Sequence, residues 1–211
     1  MKKNLFFSTV ILVLLLTSCA FAATREIALS FDDGPDPVFT PLILKILKAH
    51  GAEATFFVKG KSAELFPDIL RAEHDASHEI GNHTYDHPRL TEIGDKYIIQ
   101  QIAKTQNAVF GILGIWPKLF RPPYSARDEH VDRIVKFLGL AMPPWTVSPA
   151  DYECPPPETI AQRVLSAIVP GAIVVMHDNC PNTPAAVEII LKGLKEKNLQ
   201  PVTISKLLRK K

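Results

Sequence analysis

Two hydrophobic periods alternate along this chain, and that alternation restricts its fold more than any other feature. From Arg25 onward, short apolar runs trade places with segments whose apolar residues recur every three to four positions. The runs "REIALSF" (25–31), "ATFFV" (54–58) and "HEIGNH" (78–83) read as buried strands, and further strands are expected around Leu119–Phe120, Leu140–Met142, Ala172–Met176 and Val202. Between them lie helical patterns. One is capped by Thr40 with Pro41 at its first position; the others run over Ala63–Ala72, Thr91–Gly111, Asp128–Leu138, Glu158–Ile168 and Ala185–Lys197. Strands that alternate with helices pair in parallel, with the helices outside. An open doubly wound sheet and a closed barrel both meet this pattern, and both place chemistry on the loops after the carboxyl ends of strands.

The 211 residues, 46% of them apolar, suffice for one ordinary core but not for two comfortable domains, so a single domain over 23–211 is expected. Residues 1–22 read as an export signal: Lys2 and Lys3, an apolar stretch from Leu5 to Leu16, then small residues ending in Ala20-Phe21-Ala22. The stretch is interrupted by Ser8 and Thr9 and is short of the ~20 residues a membrane span needs. Cleavage before Ala23 gives a periplasmic or secreted protein. Leu16-Thr17-Ser18-Cys19 offers lipid anchoring through Cys19 as the alternative, disfavoured by the short tether to the first strand. Without Lys2 and Lys3 the chain carries 22 basic and 22 acidic side chains and no basic run interleaved with aromatics, which argues against nucleic acid as a partner. No stable protein partner is implied, and a monomer is expected.

The chemistry-bearing residues fall at the expected strand ends: Asp32 and Asp33 after the first, His83 after the third, then Arg121, Asp151 and His177. His83 and His87 are four residues apart, which on one helical turn puts both imidazoles on one side. Thr84, not Glu, follows His83, so the metalloprotease motif is absent. A carboxylate from the end of the first strand is the natural third ligand, and two histidines with one aspartate leave positions open on a divalent cation, as catalytic sites do. If the strand breaks at Gly34, Asp32 and Asp33 diverge, one to ligate and one to face a metal-bound water as general base.

Taken together, "SFDDGP" (30–35), "HTYDH" (83–87), "RPPY" (121–124), "WTVSPADY" (145–152) and "VMHD" (175–178) resemble the five ordered motifs of the NodB-type polysaccharide deacetylases, carbohydrate esterase family four. The resemblance implies an α/β fold, a distorted (β/α) barrel with about seven parallel strands. It also implies a metal-dependent hydrolase that removes acetyl groups from an N-acetylated polysaccharide or oligosaccharide. Carried over by position, Asp32 matches the catalytic base and Arg121 the arginine that holds it. Asp33, His83 and His87 match the ligands of a divalent metal, zinc first, with cobalt or nickel as alternatives. Asp151 and His177 match the carboxylate and the general acid it orients. Tyr124, beside Pro123, matches the residue whose backbone N–H binds the oxyanion, and Trp145 and Val175 line the substrate pocket. In three places the chain departs from the family: Ser148 where many members have a further aspartate, Tyr152 for a common tryptophan, and Val175 for a common leucine.

Two other readings compete. Non-haem iron(II) oxygenases also use two histidines and a carboxylate, but leave Arg121 and Asp151 without a role. A non-catalytic glycan-binding module has no need of Asp32, Asp33, His83, His87 and His177 together. The motifs do not choose among peptidoglycan, chitin oligomers and O-acetylated xylan. Cys154 and Cys180, each three residues beyond a member of the Asp151–His177 pair, are expected to form a disulfide in an exported protein.

Overall fold

The computed structural model describes residues 25–209. The expected export segment, with Cys19 and the cleavage expected before Ala23, lies outside the described residues. The order of elements is β1 (Glu26–Asp32), α1 (Phe39–Ala49), β2 (Thr55–Val58), α2 (Gly60–Leu65), α3 (Pro67–Asp75), β3 (Glu79–Asn82), α4 (Asp95–Leu113), α5 (Glu129–Phe137), α6 (Pro157–Ala167), β4 (Ile173–His177), α7 (Thr183–Glu196), β5 (Gln200–Val202) and α8 (Ile204–Leu208). Among the described residues no helix is long and apolar enough to cross a membrane.

Every strand pairing is parallel, and β1 is the hub. It pairs with β4 from Ala28 to Asp32 on one edge. On the other edge β5 meets its first half and β2 its second, while β3 continues the sheet beyond β2. Period-two alternation divides the side chains of β1. Ile27, Leu29 and Phe31 pack outward with Ile43 and Leu47 of α1, Leu70 of α3, Val164 of α6 and Ile190 of α7 in the principal core. Ala28 packs on the opposite face with Phe57, Leu119, Ile173 and residues of α8. A third cluster joins α4 and α5 through Ile98, Ile102, Val131 and Val135 around Phe120.

The sheet curls toward a barrel without closing. The strands expected at Leu119–Phe120 and Leu140–Met142 are reduced to single bridges, Asn82 to Phe120 and Leu119 to Ala141, and Val147 bridges to β4 at Val174. Among the described residues five strands and three bridged segments therefore stand where about seven strands were expected, with no bridge between Ala141 and Val147. Pro117, Pro122, Pro123, Pro143 and Pro144 flank these segments, and each removes a donor that a ladder would need.

Helix boundaries depart from the sequence pattern where local chemistry intervenes. The helix expected over Ala63–Ala72 is two, α2 and α3, broken at Phe66 (φ −129°, ψ 57°), because the residue before a proline is driven out of helical geometry. Thr40 does not cap α1. The Asp36 carboxylate accepts the Val38 and Phe39 N–H groups instead, and the Thr40 hydroxyl donates to Asp178 at 2.6 Å. The long helix α4 starts at Asp95, after a separate 3-10 turn over Leu90–Glu92.

Candidate active site

The carboxyl ends of β1, β3 and β4 open into one pocket of about 550 Å³, lined by Asp32, Asp33, His83, His87, Tyr124, Trp145, Val175 and His177 among others. Among the described residues, seven of the nine non-glycine positions with positive φ sit in the loops around it: Asp33, Thr84, His87, Tyr124, Ser125, Ala150 and Cys154. Such backbone persists only where its surroundings enforce it, and it gathers at sites that must aim side chains.

Asp32 ends β1 in register with His177 of β4. Arg121 reaches into the barrel, stacks its guanidinium 4.0 Å from the Phe57 ring centre, and donates from Nη1 to Asp32 Oδ1 at 2.7 Å and to Ser30 Oγ at 2.9 Å. Ser30 in turn donates to the Val174 carbonyl. Asp33 adopts φ 83° and so turns away from Asp32. The adjoining Gly34 is required by contact: a Cβ there would lie 2.0 Å from Asp178 Oδ2. Asp178 is fully buried behind the two aspartates, and burial, with Asp33 and Asp32 adding, pushes its carboxyl up to about 7 against the Thr40 hydrogen bond.

Asp33, His83 and His87 bring their donor atoms within 4.8 Å of one another. Asp33 Oδ1 lies 3.1 Å from His87 Nε2 and 3.7 Å from His83 Nε2, yet it is buried and accepts no hydrogen bond. An orphaned carboxylate oxygen facing two imidazole nitrogens suits a cation better than a proton. His83 Nδ1 donates to the Arg121 carbonyl at 2.7 Å, which leaves Nε2 with its lone pair toward Asp33. Burial keeps both rings neutral: it lowers His83, and it takes His87 down to about 4 despite Asp33. Burial alone would raise the Asp33 carboxyl, but His83, Lys59, His87 and His177 outweigh it and hold it below its ordinary value.

The two histidines do not meet on a helical turn, as their spacing predicts. Residues 83–88 form an irregular loop in which Thr84 and His87 take left-handed backbone (φ 67° and 68°), and the ring centres lie 5.0 Å apart. Asn82 Oδ1 accepts the Thr84 N–H, Thr84 Oγ1 accepts the His87 N–H, and Gln101 accepts the Tyr85 and Asp86 N–H groups. Polar side chains, not helix geometry, set this loop.

On the other side of Asp32, Asp151 is fully buried and saturated. Its Oδ1 pairs with His177 Nδ1 at 2.8 Å, and its Oδ2 accepts the His177 N–H at 2.7 Å and the Thr183 hydroxyl at 2.8 Å. Burial works to lower His177, but the Asp151 hydrogen bond and charge, with Asp32 and Asp33 behind them, push it up to about 9. The imidazolium is therefore the resting form at neutral pH. Tyr152 meets the His177 ring edge-on at 5.6 Å.

Two expectations need correction. Both Pro122 and Pro123 are buried, but it is Pro122 that lines the pocket, while Pro123 starts a 3-10 turn over Pro123–Ser125. Cys154 and Cys180 are free thiols, not a disulfide. Exposed Cys154 directs Sγ toward the Tyr152 carbonyl and buried Cys180 toward Asn179 Oδ1, while burial, Asp151 and Cys154 push the Cys180 thiol up to about 12. Sequence reasoning also missed Lys59, Asn179, Ser30 and Thr183, which hold the named residues. Lys59 and Asn179 follow β2 and β4 in the same layer of strand ends, and that position was the available signal.

Comparison with known proteins shows the family of the chain. Residues 22–143 match the polysaccharide deacetylase family. The chain is 38% identical over 187 residues to the peptidoglycan-N-acetylglucosamine deacetylase PgdA of Listeria monocytogenes, covering 89% of this chain but only 40% of that protein. It is 38% identical over 162 residues to a chitooligosaccharide deacetylase of Azorhizobium caulinodans, covering 76% and 77% of the two chains. The solved structure of the peptidoglycan deacetylase PdaC from Bacillus subtilis superposes with a TM-score of 0.84 at 34% identity, over 88% of this chain and 91% of that one. The chain belongs to the polysaccharide deacetylase family.

Proposed function

We propose that this protein is a metal-dependent hydrolase that removes N-acetyl groups from a cell-wall or chitin-like glycan. The observation that carries the reading is one pocket in which a clamped carboxylate, Asp32, stands between an open Asp33–His83–His87 donor set and a charged imidazole, His177. Two neutral imidazoles and a carboxylate suit zinc, with cobalt or nickel as substitutes. Bound there, the cation supplies a Lewis acid for the acetyl carbonyl and a water of lowered pKa.

The side chains account for the remaining steps. Arg121 occupies Asp32 Oδ1, so Oδ2 is the oxygen left to take a proton from the attacking water. The Tyr124 N–H, in a left-handed turn on the pocket wall, serves as a donor to the developing oxyanion. His177, fixed through Nδ1 by Asp151, gives the proton on Nε2 to the departing amine nitrogen. Val175 closes the pocket around the acetyl methyl, and the exposed rings of Tyr124, Trp145 and Tyr152 offer faces to sugars.

The names of the relatives favour glycans with N-acetylglucosamine units, and such substrates put the action outside the cytoplasm, as the export signal does. O-acetylated xylan is the second substrate reading. Retention of the base, the acid and all three donors argues against a non-catalytic binding module, and the Arg121 and Asp151 partnerships argue against an iron(II) oxygenase. Acetate release from peptidoglycan, chitin oligomers and acetylxylan, with zinc-loaded and chelator-treated protein, tests the reading. Release from an N-acetylated glycan only when metal is present is expected; no release from any substrate by loaded protein would overturn it.

A further inference from the structure

Lys59 has no part in the chemistry above, yet it stands at its centre. It follows β2, its N–H donates to the Gly34 carbonyl, and its Nζ lies 3.8 Å from Asp33 Oδ1. That is the same oxygen that faces His83 Nε2 and His87 Nε2 and accepts no hydrogen bond, while Asn179 Nδ2 attends Oδ2 at 3.4 Å. Among the described residues the Lys59 ammonium is the one lysine or arginine nitrogen within 4 Å of this carboxylate. The Lys59 side chain is only about a quarter exposed, far less than at an ordinary surface ion pair, and its four-carbon stem lets the charge withdraw.

We infer that Lys59 is an internal counter-cation for Asp33. It neutralises and orients the carboxylate in the metal-free chain, and it competes with a dication for Oδ1, so that the site binds metal more weakly than its three donors alone would. The inference rests on reading Asp33, His83 and His87 as metal ligands. Lys59 is a positioning residue whose charge sets metal affinity, not a catalytic one.

Zinc and cobalt affinities, measured by competition with a chromophoric chelator, test this on the full mature chain. Lys59→Met removes the charge and keeps the stem; Lys59→Arg keeps the charge. Lys59→Met is expected to bind metal roughly five- to tenfold more tightly at low ionic strength, the gain expected from losing a unit charge about 4 Å from the shared oxygen. The gain should shrink toward about 1 M salt, where charges are screened beyond ~3 Å. Lys59→Arg should stay within about twofold of the parent. Metal-free Lys59→Met should melt at a lower temperature than the metal-free parent. Unchanged or weaker binding by Lys59→Met, with the parent binding normally, overturns the inference alone. Absence of binding in all three proteins overturns the metal reading and the inference with it.

Discussion

The two halves of the pocket, on either side of Asp32, are built on opposite principles. In the half around Asp151 and His177 every carboxylate oxygen is satisfied: Asp151 is fully buried and accepts three hydrogen bonds, two of them from His177 itself. In the half around Asp33, His83 and His87 one buried carboxylate oxygen accepts none, and two neutral imidazole nitrogens face it. Burial of a polar group without a partner costs about 1–3 kcal/mol, so a fold that retains one in a pocket invites a ligand there. The first half is complete and holds a proton; the second half is incomplete and calls for a cation.

Substitutions should separate the halves, and the largest effect belongs to the incomplete one. Asp33→Asn is expected to reduce acetate release by ~10³-fold or more, because the Lewis acid goes with the ligand. Asp32→Asn, between the halves, should cost ~10²- to 10⁴-fold through loss of the general base while the metal stays bound. A variant of Asp32 with near-normal turnover would mean that another group takes the proton.

The complete half is sharpened by pH. In the metal-free protein the His177 ring should titrate near 9 and the His87 ring near 4, read by the imidazole resonances. The signs for stability are opposite. His177, raised above its unfolded value near 6.5, contributes stability fully below that pH and loses it as pH rises through about 9. His87, lowered to about 4, makes the fold less stable as pH falls from about 6.5 toward 4, because the unfolded chain binds the proton first. Titration of both rings near 6.5 would erase the contrast drawn here.

A smaller effect lies outside the pocket. Glu73 of α3 is fully buried with neither carboxylate oxygen hydrogen-bonded, and burial, with Asp178 adding, raises it well above 4.5. A raised carboxyl weakens the fold as pH rises from the unfolded value through the folded one. Glu73→Met is expected to stabilise the protein by roughly 1–3 kcal/mol at pH 8 and by less at pH 5. Chemical denaturation at the two pH values reads this out, and equal effects at both would show that Glu73 ionises in the fold as it does in the unfolded chain.

Much of this was legible in the sequence because strand ends, not strand interiors, carry the chemistry. The alternation of periods placed Asp32, His83, Arg121, Asp151 and His177 in one layer whatever the closure of the sheet, and hydrophobic runs located β1, β2, β3 and β4. What was not legible depends on contacts distant in sequence. A proline splits α2 from α3, and other prolines thin two expected strands to single bridges, effects that periodicity averages over. The convergence of His83 and His87 depends on Asn82, Thr84 and Gln101 holding left-handed backbone, where spacing suggested a helical turn. Glu73 looks like an ordinary polar helix residue, and only the packing of α3 reveals that it is buried. The cysteines were placed in neighbouring loops and their thiols do interact, but both are free and no disulfide joins them.

The division between the halves is tested most directly by calorimetric titration of zinc into the metal-free protein, Asp33→Asn and Asp151→Asn side by side. The account predicts one ion bound per chain in the parent and in Asp151→Asn, and none in Asp33→Asn. Equal binding by all three proteins, or loss of binding in Asp151→Asn alone, would contradict it.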